Sequence, residues 1–423
     1  MKVLLIGSGG REHAMAWKLS KSPKITKLYI APGNPGTAIV GENVMIPAED
    51  IAGLKSFALR EKIDLTVVGP ELPLTMGIVD VFEEAGLKIF GPSKAAAELE
   101  GSKVFSKELM SRYKIPTAYF KKFDRIEAAK DYINTHNPPM VVKADGLAAG
   151  KGVVICQTRD EALEAVDLMM AKKSFGTAGT RVIVEEFLEG EEASFLAITD
   201  GKTVVPLAPA QDHKAIFDGD TGPNTGGMGA YSPTPVVSKE LQDEVMRTVM
   251  VPTVKAMEAE GRPYKGVLYA GLMISAGRIK VLEFNCRLGD PETQPILMRL
   301  EDDLLEVLLK AVECRLEDVS LRWSDKTAVC VVMAARGYPG IYEKGTEIHG
   351  LAEAGALEDV VVFHAGTAVK DGRVVTSGGR VLGVTALGVD VKNAIENAYK
   401  AVSLISWDGV YCRKDIGRKA LRC

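Results

Sequence analysis

The sequence predicts a multidomain protein of mixed α/β and α+β class, and three observations carry that expectation. Short apolar runs alternate with helical patterns through residues 1–100, the signature of an N-terminal doubly wound parallel sheet. From about residue 102 the style changes to hairpin-forming strands joined by glycine-rich loops. After residue 326, strands and one helix sit among dense turn signals, as in a small C-terminal α+β domain. The expected divisions are 1–101, 102–325 and 326–423, in keeping with roughly 100–200 residues per domain.

In the first block, Lys2–Ile6, Leu28–Ile30, Asp64–Val68 and Leu87–Phe90 read as strands, with helices at about 11–20, 50–61, 73–85 and 93–100. Open α/β sheets bind ligands at the carboxyl ends of their strands. Three Gly/Pro loops fall there and form a candidate rim: Gly7–Gly10, Pro32–Gly36 and Gly69–Pro73. Gly7-Ser8-Gly9-Gly10-Arg11-Glu12-His13 opens a helix, an arrangement that suits a phosphate, with a plain tight turn under a helix as the alternative. It is not the dinucleotide fingerprint, because Glu12 stands where the third glycine belongs. A dinucleotide-dependent oxidoreductase is therefore disfavoured. His13, inside the helix, reads as a packing or surface residue.

In the middle block, Ser102–Tyr113 reads as a helix with Lys103 in its first turn, where a cation opposes the helix dipole. The strand Met140–Lys143 leads through Ala144–Gly152 to the strand Val153–Cys156. That loop departs from the Walker pattern in glycine spacing and lacks the hydroxyl after Lys151. A mobile flap laying backbone N–H groups over phosphates is one reading; a plain hairpin loop is the other. A helix at about 159–172 precedes Arg181–Glu192, where apolar strand residues run into crowded acids. This segment serves as an adenine-binding hinge or as a solvated linker. Strands at 193–199 and 203–207 lead to a long loop at 211–231, containing Gln211-Asp212-His213-Lys214 and Thr225-Gly226-Gly227-Met228-Gly229. Such a loop inside a compact domain points to function. A helix at about 238–260 should kink or break at Pro252. A hairpin of 265–275 and 278–284 and a helix at about 295–314 complete the block.

The hairpin delivers Glu283-Phe284-Asn285-Cys286-Arg287-Leu288-Gly289-Asp290-Pro291-Glu292. Alternation along a strand puts Glu283, Asn285 and Arg287 on one face. Two oxygen donors followed by a guanidinium fork suit a magnesium–phosphate site, or a half-exposed strand with an ion pair. In the last block, Thr327–Ala335, Val360–His364 and Arg380–Ala386 read as strands and about 390–404 as a helix.

Composition narrows the function. With 52 basic and 56 acidic residues the net charge is −4, which calls for neither nucleic acid nor a membrane surface. The apolar runs are short of the ~20 residues a spanning helix needs. Six scattered cysteines without a C-x-x-C pair fit neither zinc nor a disulfide framework. A cytoplasmic protein is expected, as a monomer or simple homodimer. A nucleotide-binding regulator without turnover is a competing expectation that rests on the phosphate loops alone.

Four motifs in order, Gly7–Ala14, Lys143–Val153, Thr225–Tyr231 and Glu283–Glu292, resemble the phosphoribosylamine–glycine ligase family of the ATP-grasp superfamily. The resemblance runs over essentially the whole chain. It implies an ATP-grasp core with a mobile flap subdomain at about 121–188. It also implies ligation of glycine to 5-phosphoribosylamine with ATP, in purine biosynthesis, through a glycyl phosphate. On this resemblance Lys103, Lys143, Gly150, Lys151 and Gly152 attend the ATP phosphates. Glu185, Glu186 and Leu188 line the adenine hinge, and Glu192 holds the ribose. Glu283 and Asn285 ligate Mg²⁺ or Mn²⁺, while Arg287 and Asp212 are catalytic. Gly9, Gly10, Glu71, Gly226, Gly227 and Asp290 contact the substrates. Many superfamily members carry another metal-binding acid on the preceding strand; Val267–Ser275 has none.

Overall fold

The computed structural model describes residues 1–146, 152–171 and 179–422. Its N-terminal sheet is parallel, in the order Glu42–Asn43, Lys27–Pro32, Lys2–Gly7, Leu65–Val68, Ile89–Phe90. Val3, Leu4, Leu5 and Ile6 are all fully buried, with Leu4 and Ile6 in one apolar core and Val3 and Leu5 in another. A strand covered on both faces needs this unbroken apolar run. The connection reverses direction between Lys2–Gly7 and Leu65–Val68. The loops at Ser8–Gly10 and Gly69–Glu71 therefore flank the topological switch point, where open sheets bind ligands.

Three antiparallel sheets follow. One runs Val204–Pro206, Glu191–Asp200, Lys265–Ser275, Arg278–Asn285. A smaller one runs Phe120–Phe123, Val182–Glu186, Met140–Ala144, Val153–Cys156 and has its own core of Phe123, Val142, Met169 and Val184. The third joins Gln211–Asp212 and Gly229–Ser232 to Thr327–Ala334, Arg380–Gly388 and Val360–His364. Both ends of the 211–231 loop are thus strands of the C-terminal sheet. No helix among the described residues is long and apolar enough to cross a membrane.

Several expected helices differ. The one expected at 73–85 is two, Glu71–Met76 and Ile78–Glu84, parted at Gly77, whose φ of 97° ends the first in the left-handed region. The one expected at 295–314 is also two, Thr293–Arg299 and Leu304–Val312. Asp303 restarts the chain there as an N-cap, accepting the Leu305 N–H at 2.9 Å. Pro252 breaks nothing: a π turn at Met246–Met250 widens the ladder just before Val251–Ala259. The helix expected at 159–172 likewise ends in a π turn at Asp167–Ala171. Two hairpins were not anticipated, Ala215–Phe217 with Thr221–Asn224 and Thr367–Lys370 with Arg373–Thr376.

Leu5→Ala removes a fully buried side chain and should cost about 2–5 kcal/mol, read as an earlier urea midpoint. An unchanged midpoint would contradict the packing described.

Candidate active site

A β-bulge at Leu282 shifts the alternation of the strand Arg278–Asn285, and the expected pattern holds from Glu283 onward. Phe284 and Cys286 are buried in the apolar core, while Glu283, Asn285 and Arg287 keep partial exposure on the other face. Burial alone would raise the Glu283 carboxyl. Lys103, Lys214, Lys143 and Arg287 outweigh it and hold the group below its usual range. Glu283 is therefore an anion among cations. With the Asn285 amide two positions along, it supplies the hard oxygen donors that Mg²⁺ prefers. Among the described residues no cluster of three or more His, Cys, Asp or Glu side chains is positioned to hold a metal alone. Two donors fit an ion that completes its shell with phosphate oxygens and water.

On one side of this face lie lysines. Lys143 Nζ pairs with Glu185 Oε2 at 2.9 Å and donates to the Leu282 carbonyl at 3.3 Å. Lys107 Nζ pairs with Glu185 Oε1 at 3.1 Å and donates to Thr117 Oγ1 at 2.7 Å. Burial and then Lys143 push Lys107 down to about 8, with Glu185 pulling the other way. One carboxylate thus serves two buried lysines. Lys103 Nζ reaches the Gly146 carbonyl at 3.4 Å. Its place in a first helical turn is offset by Asp145, whose Oδ1 accepts from Ser102 Oγ at 2.9 Å and the Val104 N–H at 3.1 Å. An anion there answers the helix dipole that Lys103 opposes.

The other side is a network of arginines and carboxylates at the switch point. Arg287 Nε donates to Glu71 Oε2 at 3.2 Å, and its Nη2 lies 3.3 Å from Glu100 Oε1. Glu100 Oε2 accepts the Cys286 N–H at 2.7 Å. Burial works against the Arg287 charge, but Glu100 and Glu71 raise its pKa above the ordinary arginine value. Arg11 Nε pairs with Glu12 Oε1 at 2.6 Å and its Nη1 donates to the Leu288 carbonyl at 3.0 Å.

The Gly7–Gly10 turn faces carboxylates. Glu12 Oε2 accepts the Gly9 N–H at 2.7 Å. A Cβ at Gly7 or Gly69 would lie 2.4 or 2.2 Å from the Glu12 side chain, so glycine there makes room for it. A Cβ at Gly10 would lie 3.5 Å from Asp290 Oδ1. The leading N–H of the turn is thus bonded to the Glu12 carboxylate, which caps the start of the helix. His13 packs as expected, its Nδ1 accepting the His364 N–H at 2.8 Å. Burial and then His364 lower it to about 3.

The 211–231 loop closes the arrangement. Asp212 is buried on its short strand, and Lys214 pairs with Glu192. Glu292 is buried as well, its Oε1 accepting from Tyr269 Oη at 2.5 Å and Ser194 Oγ at 3.0 Å.

This arrangement has close counterparts. The chain matches the N domain of phosphoribosylglycinamide synthetase over residues 1–100, its ATP-grasp (A) domain over 101–293 and its C domain over 328–419. The chain belongs to the phosphoribosylglycinamide synthetase family. The phosphoribosylamine–glycine ligase of Vibrio vulnificus (strain YJ016) is 54% identical over 424 residues, covering 100% of this chain and 99% of that relative. The crystal structure of phosphoribosylamine–glycine ligase from Thermotoga maritima has a TM-score of 0.85 at 36% identity, covering 98% of this chain and 100% of that one. The biotin carboxylase domain of Hydrogenobacter thermophilus 2-oxoglutarate carboxylase shares the fold, with a TM-score of 0.75 at 17% identity over 97% of this chain and 91% of that one.

Within this phosphoribosylglycinamide synthetase fold, the residues singled out from sequence fall into two groups. Lys103, Lys143, Glu185 and Glu283 gather on the lysine side. Gly9, Gly10, Glu71, Arg287 and Asp290 gather at the switch point, and Gly226 and Gly227 reach Asp290 through Arg380. Glu186 stands apart: it is exposed, accepts the Tyr119 N–H at 2.8 Å and pairs with Lys280. Leu188 lies half-buried in the loop just beyond, and Gly152 is buried. Gly150 and Lys151 lie outside the described residues. Sequence reasoning missed Glu100, Lys107, Glu292 and Arg380. Lys107 carried a local signal, one helical turn after Lys103 on the same face, and Glu292 closes the Glu283–Glu292 motif.

Burial drives Asp212 up to about 7, with Lys214 opposing and Glu292 and Glu192 adding to the rise. The folded protein therefore holds a proton that the unfolded chain releases near pH 3.8. The stability tied to that proton is complete below this pH and is lost as pH rises through about 7. Asp212→Asn should escape the loss, so its melting temperature relative to the unaltered protein should increase between about pH 5 and about pH 8. A pH-independent difference would contradict this environment for Asp212.

Proposed function

We propose that the chain is an ATP-dependent ligase that joins glycine to 5-phosphoribosylamine, giving glycinamide ribonucleotide, ADP and phosphate in purine biosynthesis. The observation that carries this reading is the face of Glu283, Asn285 and Arg287, with Lys103 and Lys143 on one side and the Glu71–Asp290 switch point on the other. The family gives the reaction its name; this face gives it a physical basis.

A glycine carboxylate is a poor acylating agent. Transfer of the ATP γ-phosphoryl group to a carboxylate oxygen makes glycyl phosphate and releases ADP. The phosphoribosylamine nitrogen then attacks the acyl carbon, loses a proton, and phosphate departs. Phosphoryl transfer asks the protein mainly for positioning and charge neutralisation. Lys103 and Lys143 supply positive charge for the transferred phosphate, and Arg287 faces the developing acyl phosphate. Mg²⁺ (or Mn²⁺) held by Glu283 and Asn285 would neutralise phosphate charge. Glu185, Glu186 and Leu188 offer the adenine hinge, and Glu192, tied to Lys214, stands ready for the ribose hydroxyls. Asp212 accepts the proton from the attacking amine, a task suited to a carboxyl raised to about 7. The flap formed by the small sheet around Met140–Ala144 and Val153–Cys156 excludes water from the labile intermediate.

The chain works in the cytoplasm on small molecules, as a monomer or simple homodimer. Its free cysteines, three of them buried, agree with a reducing compartment.

A coupled ADP assay with each substrate omitted in turn tests the reading. Sustained ADP release should require glycine, phosphoribosylamine and ATP together; formation independent of glycine rejects the ligation. Lys143→Ala should lower kcat about 10²–10³-fold with circular dichroism unchanged. Loss of the folded signal would make Lys143 structural instead.

A further inference from the structure

The C-terminal block also reaches this site, through Arg380 at the start of the strand Arg380–Gly388. Arg380 Nη1 donates to the carbonyls of Gly226 at 2.5 Å, Asp290 at 2.6 Å and Gly227 at 3.4 Å. Its Nη2 bonds Asp290 Oδ2 at 2.8 Å. Tyr338 of the same block accepts the Gly226 N–H on its hydroxyl at 3.1 Å. One guanidinium thus ties together two loops that lie over sixty residues apart in sequence. Three carbonyls and a carboxylate on one fork is more than an incidental surface ion pair.

The loop sequence fits the clamp. A Cβ at Gly226 would lie 3.0 Å from Arg380 Cζ, and one at Gly227 would lie 2.5 Å from Pro291 Cδ, where φ is already 111°. The other oxygen of Asp290 accepts from Gln294 Nε2 at 2.8 Å, and both carboxylate oxygens face the Gly9–Gly10 turn. Earlier in the same loop, the fully buried Arg413 of the C-terminal block donates to the Ala215 carbonyl at 3.0 Å and pairs with Asp220 at 2.8 Å, and with Asp415 of its own block at 2.7 Å. The block therefore grips the loop at two independent points.

We propose that Arg380 is a positioning residue, which fixes the Gly226–Gly227 turn and the Asp290 carboxylate as one wall of the site for glycine and phosphoribosylamine. This inference rests on the ligation proposed above. It gives the C-terminal block a task in acceptor binding and leaves ATP to the lysine side.

The test uses the full-length protein with Arg380→Ala, Arg380→Lys and, as a milder probe, Tyr338→Phe. Arg380→Ala should raise KM for glycine or phosphoribosylamine about 10–100-fold and leave KM for ATP within about twofold. Arg380→Lys should recover part of the loss, because lysine restores the charge but not the fork. Tyr338→Phe should shift the same constants by less. Amide exchange should quicken at 226–229 and stay unchanged at 182–186. Unchanged constants overturn the proposal, as does a parallel rise in all three KM values with a lowered melting temperature. If Arg380→Ala does not fold, the lysine and Tyr338 variants decide by the same criteria. If the unaltered protein forms no ADP dependent on both acceptors, the ligation fails, while the exchange at 226–229 still decides the positioning role.

Discussion

A guanidinium taken out of water must find carboxylates or carbonyls, since an unpaired buried charge costs several kcal/mol. That constraint shapes this molecule. Arg287 is held by Glu71 and Glu100, Arg11 by Glu12 and the Leu288 carbonyl, and Arg380 by Asp290 and the Gly226–Gly227 turn. These partners come from the N-terminal sheet's switch point, from the loop after the Glu283 strand and from the C-terminal sheet. Arg11 and Arg413 take a carboxylate from their own block, Glu12 and Asp415, whereas Arg287 and Arg380 are held by groups from other blocks. Satisfying the charges therefore brings three separate parts of the chain to one place.

The same charges divide the site by chemistry. Lys103, Lys107 and Lys143 gather around two carboxylates, Glu185 and Glu283, which leaves an excess of positive charge for a polyphosphate. Across the Glu283 face, arginines and carboxylates are closer to balance. On that balanced side, charge-assisted hydrogen bonds of fixed geometry suit glycine and phosphoribosylamine, which bring a carboxylate and a phosphate of their own. Glu12 bonding the Gly9 N–H and Asp290 facing Gly10 strengthen the contrast.

Much of the fold was legible because local pattern and burial agree. Val3–Ile6 is apolar without interruption, and the strand is covered on both faces. Glu283 and Asn285 share a face because the period of a strand is two, Phe284 is buried on the other, and Arg287 follows in the bend just past the strand end. The rest depends on distant partners. Nothing near Gln211 or Gly229 announces that they join strands beginning at Thr327. Lys103 looked misplaced in its helix because its compensating anion, Asp145, lies 42 residues on. Gly77 and Asp303 split helices whose apolar spacing reads straight through them. Glu100 and Arg380 belong to no motif; their roles exist only in the folded chain.

Activation of a carboxylate by phosphoryl transfer is what this charge arrangement is proposed to accomplish, and isotope transfer tests it most directly. Glycine labelled with oxygen-18 in both carboxylate oxygens would be turned over with ATP and phosphoribosylamine, and the released phosphate examined by mass. Attack of a carboxylate oxygen on the γ-phosphorus, followed by amine attack on the acyl carbon, predicts one labelled oxygen in each phosphate. Unlabelled phosphate, formed in step with product, would contradict the glycyl phosphate route and with it the chemical role assigned to this site.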